Sequence, residues 1–87
     1  MKTAVKFGTT YDAMKEEVTF TLLIAVSENL VSTVDLPDAI KAVTDAFHRA
    51  DGSAGNGGSS KATATQGVWK AEANIDKGEF SLWRQVL

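Results

Sequence analysis

Apolar and polar positions alternate near both ends of the chain and recur at helical spacing in its middle. From Lys2 to Phe7, Thr3, Val5 and Phe7 fall on one side and Lys2, Ala4 and Lys6 on the other, which is the period of a half-buried strand. Gly8-Thr9-Thr10 interrupts it. Thr9 and Asp12 then have capping-box spacing for a short helical turn through Glu17, with Met14 and Val18 inward. Val18, Phe20, Leu22, Ile24 and Val26 next alternate with Thr19, Thr21, Leu23 and Ala25. Their β-branched and aromatic content predicts a strand, and the apolar character of both faces makes it the central one. Ser27-Glu28-Asn29 reads as a turn, and Leu30 to Val34 as a short strand or extended connection.

The strongest helical pattern follows. Asp35 is a suitable N-cap, Pro37 is tolerated in a first turn, and Asp38 suits the positive end of the helix dipole. Leu36, Ile40, Val43 and Phe47 recur at i, i+4, i+7 and i+11, while Lys41, Asp45, His48 and Arg49 fall elsewhere. An amphipathic helix is predicted over about 35–50, ended by Gly52. Gly52 to Ser60 has no apolar anchor and reads as a flexible Gly/Ser loop.

Beyond the loop, Thr65 to Ile75 alternates, Asp76-Lys77-Gly78-Glu79 carries turn residues, and Phe80 to Leu87 resumes as a strand. Pairing Ile75 with Phe80 sets Ala73 beside Leu82 and Trp69 beside Val86, which keeps one face of the hairpin apolar. Trp69 then fills the core, and Arg84 lies on the core side near the sheet's end. Trp83 points away, among Lys70, Glu72, Asn74, Ser81 and Gln85. The expected fold is α+β, a two-layer sandwich with one main amphipathic helix on an antiparallel sheet of three to four strands ending in a C-terminal hairpin. The second face of that sheet, with Leu23, Ala25, Val68 and Trp83, is left needing a cover.

Composition narrows the function. Eighty-seven residues suit a single domain over 1–87, and a chain this short buries roughly 60–65% of its unfolded surface. With no cysteine, disulfides, thiolate metal sites and cysteine nucleophiles are excluded. Lys6 breaks the apolar stretch of a leader-like N-terminus, so the chain reads as mature protein. Its longest apolar runs are far below the roughly 20 residues that span a bilayer, so no membrane role is expected and a cytoplasmic location is the default. The net charge of −2 arises from 11 acidic and 9 basic side chains without a basic block, which lowers the expectation of nucleic-acid binding.

No catalytic signature emerges. His48 is the single histidine and lies off the apolar stripe, so it reads as a surface residue. Asp45, His48 and Asp51 form a poor metal set without a second histidine or a cysteine. Gly57-Gly58-Ser59-Ser60-Lys61 follows a helix and precedes a strand, the reverse of a phosphate-binding loop. Glu16-Glu17 and Asp35/Asp38 read as solvated helix ends. No cofactor is expected. What stands out is Trp83, an exposed aromatic flanked by polar residues, the composition of an interaction hot spot or a base-stacking platform. The sequence therefore points to a non-catalytic protein–protein interaction module, an inhibitor, adaptor or assembly component, with a protein partner or a second copy as in a homodimer. Its expected partner-binding residues are Trp83, Lys70, Glu72, Gln85 and Arg84. The alternative is a small single-stranded nucleic-acid binder using Trp83 with Lys61, Lys70 and Arg84. Accessory proteins of viruses and mobile elements share this size and lack of motifs, which is an association only.

Overall fold

The computed structural model describes residues 1–4 and 11–85. In chain order these form strand β1 (Lys2–Ala4), helices α1 (Tyr11–Ser27) and α2 (Leu36–Gly55), and strands β2 (Lys61–Gln66), β3 (Trp69–Asn74) and β4 (Glu79–Arg84). The strands make one antiparallel sheet of order β1-β4-β3-β2. Helix α2 packs on β2 and β3, and α1 packs on α2. The expected α+β architecture with its C-terminal hairpin is present, carrying a second long helix. Val5 to Phe7 of the expected first strand, and Thr9 of the expected capping box, lie outside the described residues.

The segment Val18–Val26, expected as the central strand, is the second half of α1. Met14, Val18, Leu22 and Ala25, at i, i+4, i+8 and i+11, are all buried, so the helical period governs burial. Phe20, Leu23 and Ile24 face outward, with Phe20 67% exposed. Those outward apolar residues created the apparent alternation, because an apolar run on both faces carries no period of its own. The helix ends in a Schellman motif. Asn29 adopts φ 62°, its N–H donates to the Val26 carbonyl at 3.0 Å, and the Leu30 N–H donates to the Ala25 carbonyl at 2.9 Å. Leu30 to Val34 is turn and bend rather than strand.

Helix α2 is longer than expected. It buries Ala39, Ala42, Val43, Ala46, Phe47 and Ala50 and passes through Gly52 to Gly55. It stops at Gly57, which has φ +78°. There the Gly57 N–H donates to the Ala54 carbonyl at 3.0 Å, and the Gly58 N–H to the Ser53 carbonyl at 2.8 Å, a second Schellman cap. The first half of the expected loop is therefore helix. At the other end Asp35 holds the N-cap position, yet its side chain makes no capping bond and its backbone is already helical, with φ −85° and ψ −10°. Its carboxylate instead meets the Arg84 guanidinium at 3.7 Å.

The stretch expected as one strand from Thr65 to Ile75 is a hairpin. Gln66 pairs with Trp69 across a two-residue turn, Gly67-Val68. Gly67 has φ +58°, the positive φ that a II′ turn needs at its first central position. A Cβ there would also come 2.7 Å from Asp38 Oδ2, in the first turn of α2. The β3–β4 register differs from expectation by two residues: Ala73 faces Phe80, Ala71 faces Leu82, and Trp69 faces Arg84. The connection is the four-residue loop 75–78, where Asn74 Oδ1 accepts from the Asp76 N–H at 3.0 Å and the Lys77 N–H at 3.3 Å. A two-residue shift preserves the side-chain faces, because the strand period is two.

Ala64, Ala71, Ala73, Phe80, Leu82 and Trp69 all point to the helical side and are buried. Phe47 and Phe80 meet edge to face, with centroids 6.2 Å apart at 77°. Small alanines on both α2 and the sheet let backbone and backbone approach, and the two phenylalanines fill the remaining space.

Candidate functional site

Among the described residues no helix packs on the opposite face of the sheet. Across it run three rows of paired positions: Ala4, Glu79, Asn74 and Lys61; Lys2, Ser81, Glu72 and Thr63; and Trp83, Lys70 and Thr65. Apart from the small Ala4 and the large Trp83, every side chain in these rows is polar. The expectation that Leu23 and Ala25 belong to this face is corrected by the structure, since both lie on α1. A sheet face that is polar is compatible with water, so the one feature that calls for a reason is Trp83.

Trp83 is 40% exposed. β1 pairs with Glu79–Ser81 of β4, so among the described residues Trp83 has a strand neighbour only on the β3 side, where Lys70 is directly opposite. Glu72 lies one row away, and Gln85 follows on the same face with its N–H donating to the Val68 carbonyl at 2.7 Å. The structure thus gathers Trp83, Lys70, Glu72 and Gln85 on one surface.

Arg84 does not join them. It lies on the helical side, 5.7 Å over the Trp69 ring and 3.7 Å from Asp35, where it ties the end of β4 to the start of α2. Trp69 beneath it is 4% exposed, and its Nε1 has no hydrogen-bond partner among the described residues. Of the five expected partner-binding residues, Arg84 therefore lies on the opposite side of the sheet from the other four.

Sequence reasoning left Lys77 out of this face and named Lys61 only for the nucleic-acid alternative. Lys2, Lys61 and Lys77 line a shallow depression with Glu72, Asn74, Glu79 and Ser81. They come together because β1 and β2 flank the hairpin, an order that alternation along the chain does not encode. A second surface was also missed: Phe20, Leu23 and Ile24, at i, i+3 and i+4, form an exposed apolar stripe on α1.

The β2 edge of the sheet is partly blocked. The Ser60 carbonyl accepts from the Ile75 N–H at 3.0 Å, so by antiparallel alternation the backbone groups of Lys61, Thr63 and Thr65 point outward. Arg49 Nη1, from α2, donates to the Thr63 carbonyl at 3.3 Å, and the Lys61 N–H donates to Ser59 Oγ at 3.1 Å. Such contacts blunt an edge against further strand pairing.

Among the described residues no group of three or more histidine, aspartate or glutamate side chains is placed to hold a metal ion, and no helix is long and apolar enough to cross a membrane. In comparison with known proteins, no family model, no curated protein and no solved structure matches this chain.

Proposed function

We propose that this chain is a non-catalytic protein–protein interaction module that binds its partner through the outer face of the sheet around Trp83. The observation that carries this reading is the position of Trp83, a large aromatic held outward on an otherwise polar strand surface. Tryptophan is enriched among the few residues that dominate binding energy, and a rigid strand presents it with little ordering cost. Lys70, Glu72 and Gln85 supply the polar surround that such an anchor uses for orientation. The exposed stripe of Phe20, Leu23 and Ile24 supports the same class of function, since contiguous exposed apolar side chains mark interaction surfaces. A cytoplasmic location belongs to the same proposal.

The test is affinity capture from the source cells with wild-type protein and Trp83→Ala as parallel baits, with bound proteins identified by mass spectrometry. A protein enriched on the wild type and lost from the variant, while both baits remain folded, supports the reading. An identical set of captured proteins on both baits rejects it.

A further inference from the structure

The outer sheet face differs in charge from the rest of the chain. Lys2, Lys61, Lys70 and Lys77 lie on it with two carboxylates, Glu72 and Glu79, a net of +2. The other described side chains hold nine acidic and four basic groups, within a chain whose net charge is −2. The face is thus positive on a molecule that is otherwise negative. Of its four lysines, Lys2 is paired, with Glu79 at 3.8 Å. Lys61, Lys70 and Lys77 make no ion pair among the described residues.

Unpaired cations on the face of an outward tryptophan define the partner's chemistry: Lys70 directly opposite Trp83, and Lys61 and Lys77 at the far end of the same face. We infer that this face docks an acidic protein segment, one that sets an apolar side chain against Trp83 and carboxylates toward Lys70, Lys61 and Lys77. The inference rests on the reading of the face as a protein-binding surface and adds the sign of the partner. Glu72 and Glu79 decide between a protein and a nucleic acid. A strand of phosphates carries a charge at every nucleotide and would set some of them against both carboxylates. A protein segment can place a neutral or basic residue at those two positions and acids at the others. The negative remainder of the chain repels an acidic partner elsewhere, so the same asymmetry that attracts it also orients it.

The experiment titrates the full chain into three labelled probes of equal length, followed by fluorescence anisotropy: a peptide of repeated Glu-Glu-Leu, one of repeated Lys-Lys-Leu, and an oligothymidylate. The acidic peptide should bind at least about tenfold more tightly than the other two, and should weaken about tenfold between roughly 50 and 200 mM salt. The double variant Lys61→Glu/Lys70→Glu should lose that binding by about tenfold or more, while Lys15→Glu on α1 leaves it unchanged. Denaturation curves of both variants establish that they are folded, and Lys61→Gln/Lys77→Gln gives a milder neutralisation that should weaken binding in the same direction. Tighter binding of the oligothymidylate, equal binding of the basic peptide, absence of binding, or an unchanged affinity in the double variant overturns the inference. Capture separates this failure from that of the module itself. A host protein lost from Trp83→Ala but kept by Lys61→Glu/Lys70→Glu overturns only the acidic partner. One kept by Trp83→Ala overturns the binding face.

Discussion

Lys70 and Trp83 stand directly opposite each other on β3 and β4, on the face of the sheet turned away from both helices. Their neighbours along the strands, Trp69, Ala71 and Leu82, are buried beneath α2. One strand position therefore separates a residue buried in the core from one turned outward. Trp69 and Trp83 show the two placements within a single hairpin.

Phe47 is the test of the core. It is fully buried in α2 and packs edge to face on Phe80. Phe47→Ala should cost about 3–5 kcal/mol, a large part of the stability of a domain this small. Urea denaturation of both proteins measures it, and a loss below about 1 kcal/mol would show that the two rings do not carry the core.

The helix ends give a pair of opposite expectations. Gly57 sits at φ +78° in the cap of α2, and Asn29 at φ 62° in the cap of α1. Gly57→Ala should destabilise by about 1 kcal/mol or more, whereas Asn29→Gly should be neutral or mildly stabilising. Thermal melts of the two variants compare them directly. Similar shifts for both would show that the left-handed caps are not formed.

Asp35 separates a cap from an ion pair. Because its side chain makes no capping bond and lies 3.7 Å from Arg84, Asp35→Ala should cost less than about 1 kcal/mol. That cost should shrink in high salt, since a partly exposed ion pair is screened. A larger loss that persists in salt would restore the capping role read from the sequence.

Leu23 is half exposed on the outward stripe of α1. Leu23→Gln should change stability by no more than about 0.5 kcal/mol, whereas a residue of a central strand, as the alternation suggested, would cost several times that. Chemical denaturation distinguishes the two.

The parts of the fold legible in the sequence are those where burial is one-sided. The stripe Leu36, Ile40, Val43, Phe47 located α2, and the alternation of Trp69, Ala71 and Ala73 against Lys70 and Glu72 assigned the two faces of β3 correctly. The faces survived a wrong register because the error was two residues, one full period. Helix α1 was not legible from Val18 to Val26, since Phe20, Leu23 and Ile24 are apolar although they face out. The end of α2 was ambiguous because several glycines follow one another, and only the hydrogen bonds of Gly57 and Gly58 select the stop. At the site, Trp83, Lys70, Glu72 and Gln85 were readable from the hairpin alone. Lys2, Lys61 and Lys77 required the order of the strands, which long-range pairing sets.

The central claim is that Trp83 serves binding rather than folding. Its direct test is calorimetric titration of a captured partner into wild-type protein and Trp83→Ala, alongside denaturation of both. Trp83→Ala should stay folded, with stability lowered by no more than about 1 kcal/mol, and should lose about 2 kcal/mol or more of binding free energy. An unfolded variant, or one that binds the partner as tightly as the wild type, would contradict the account.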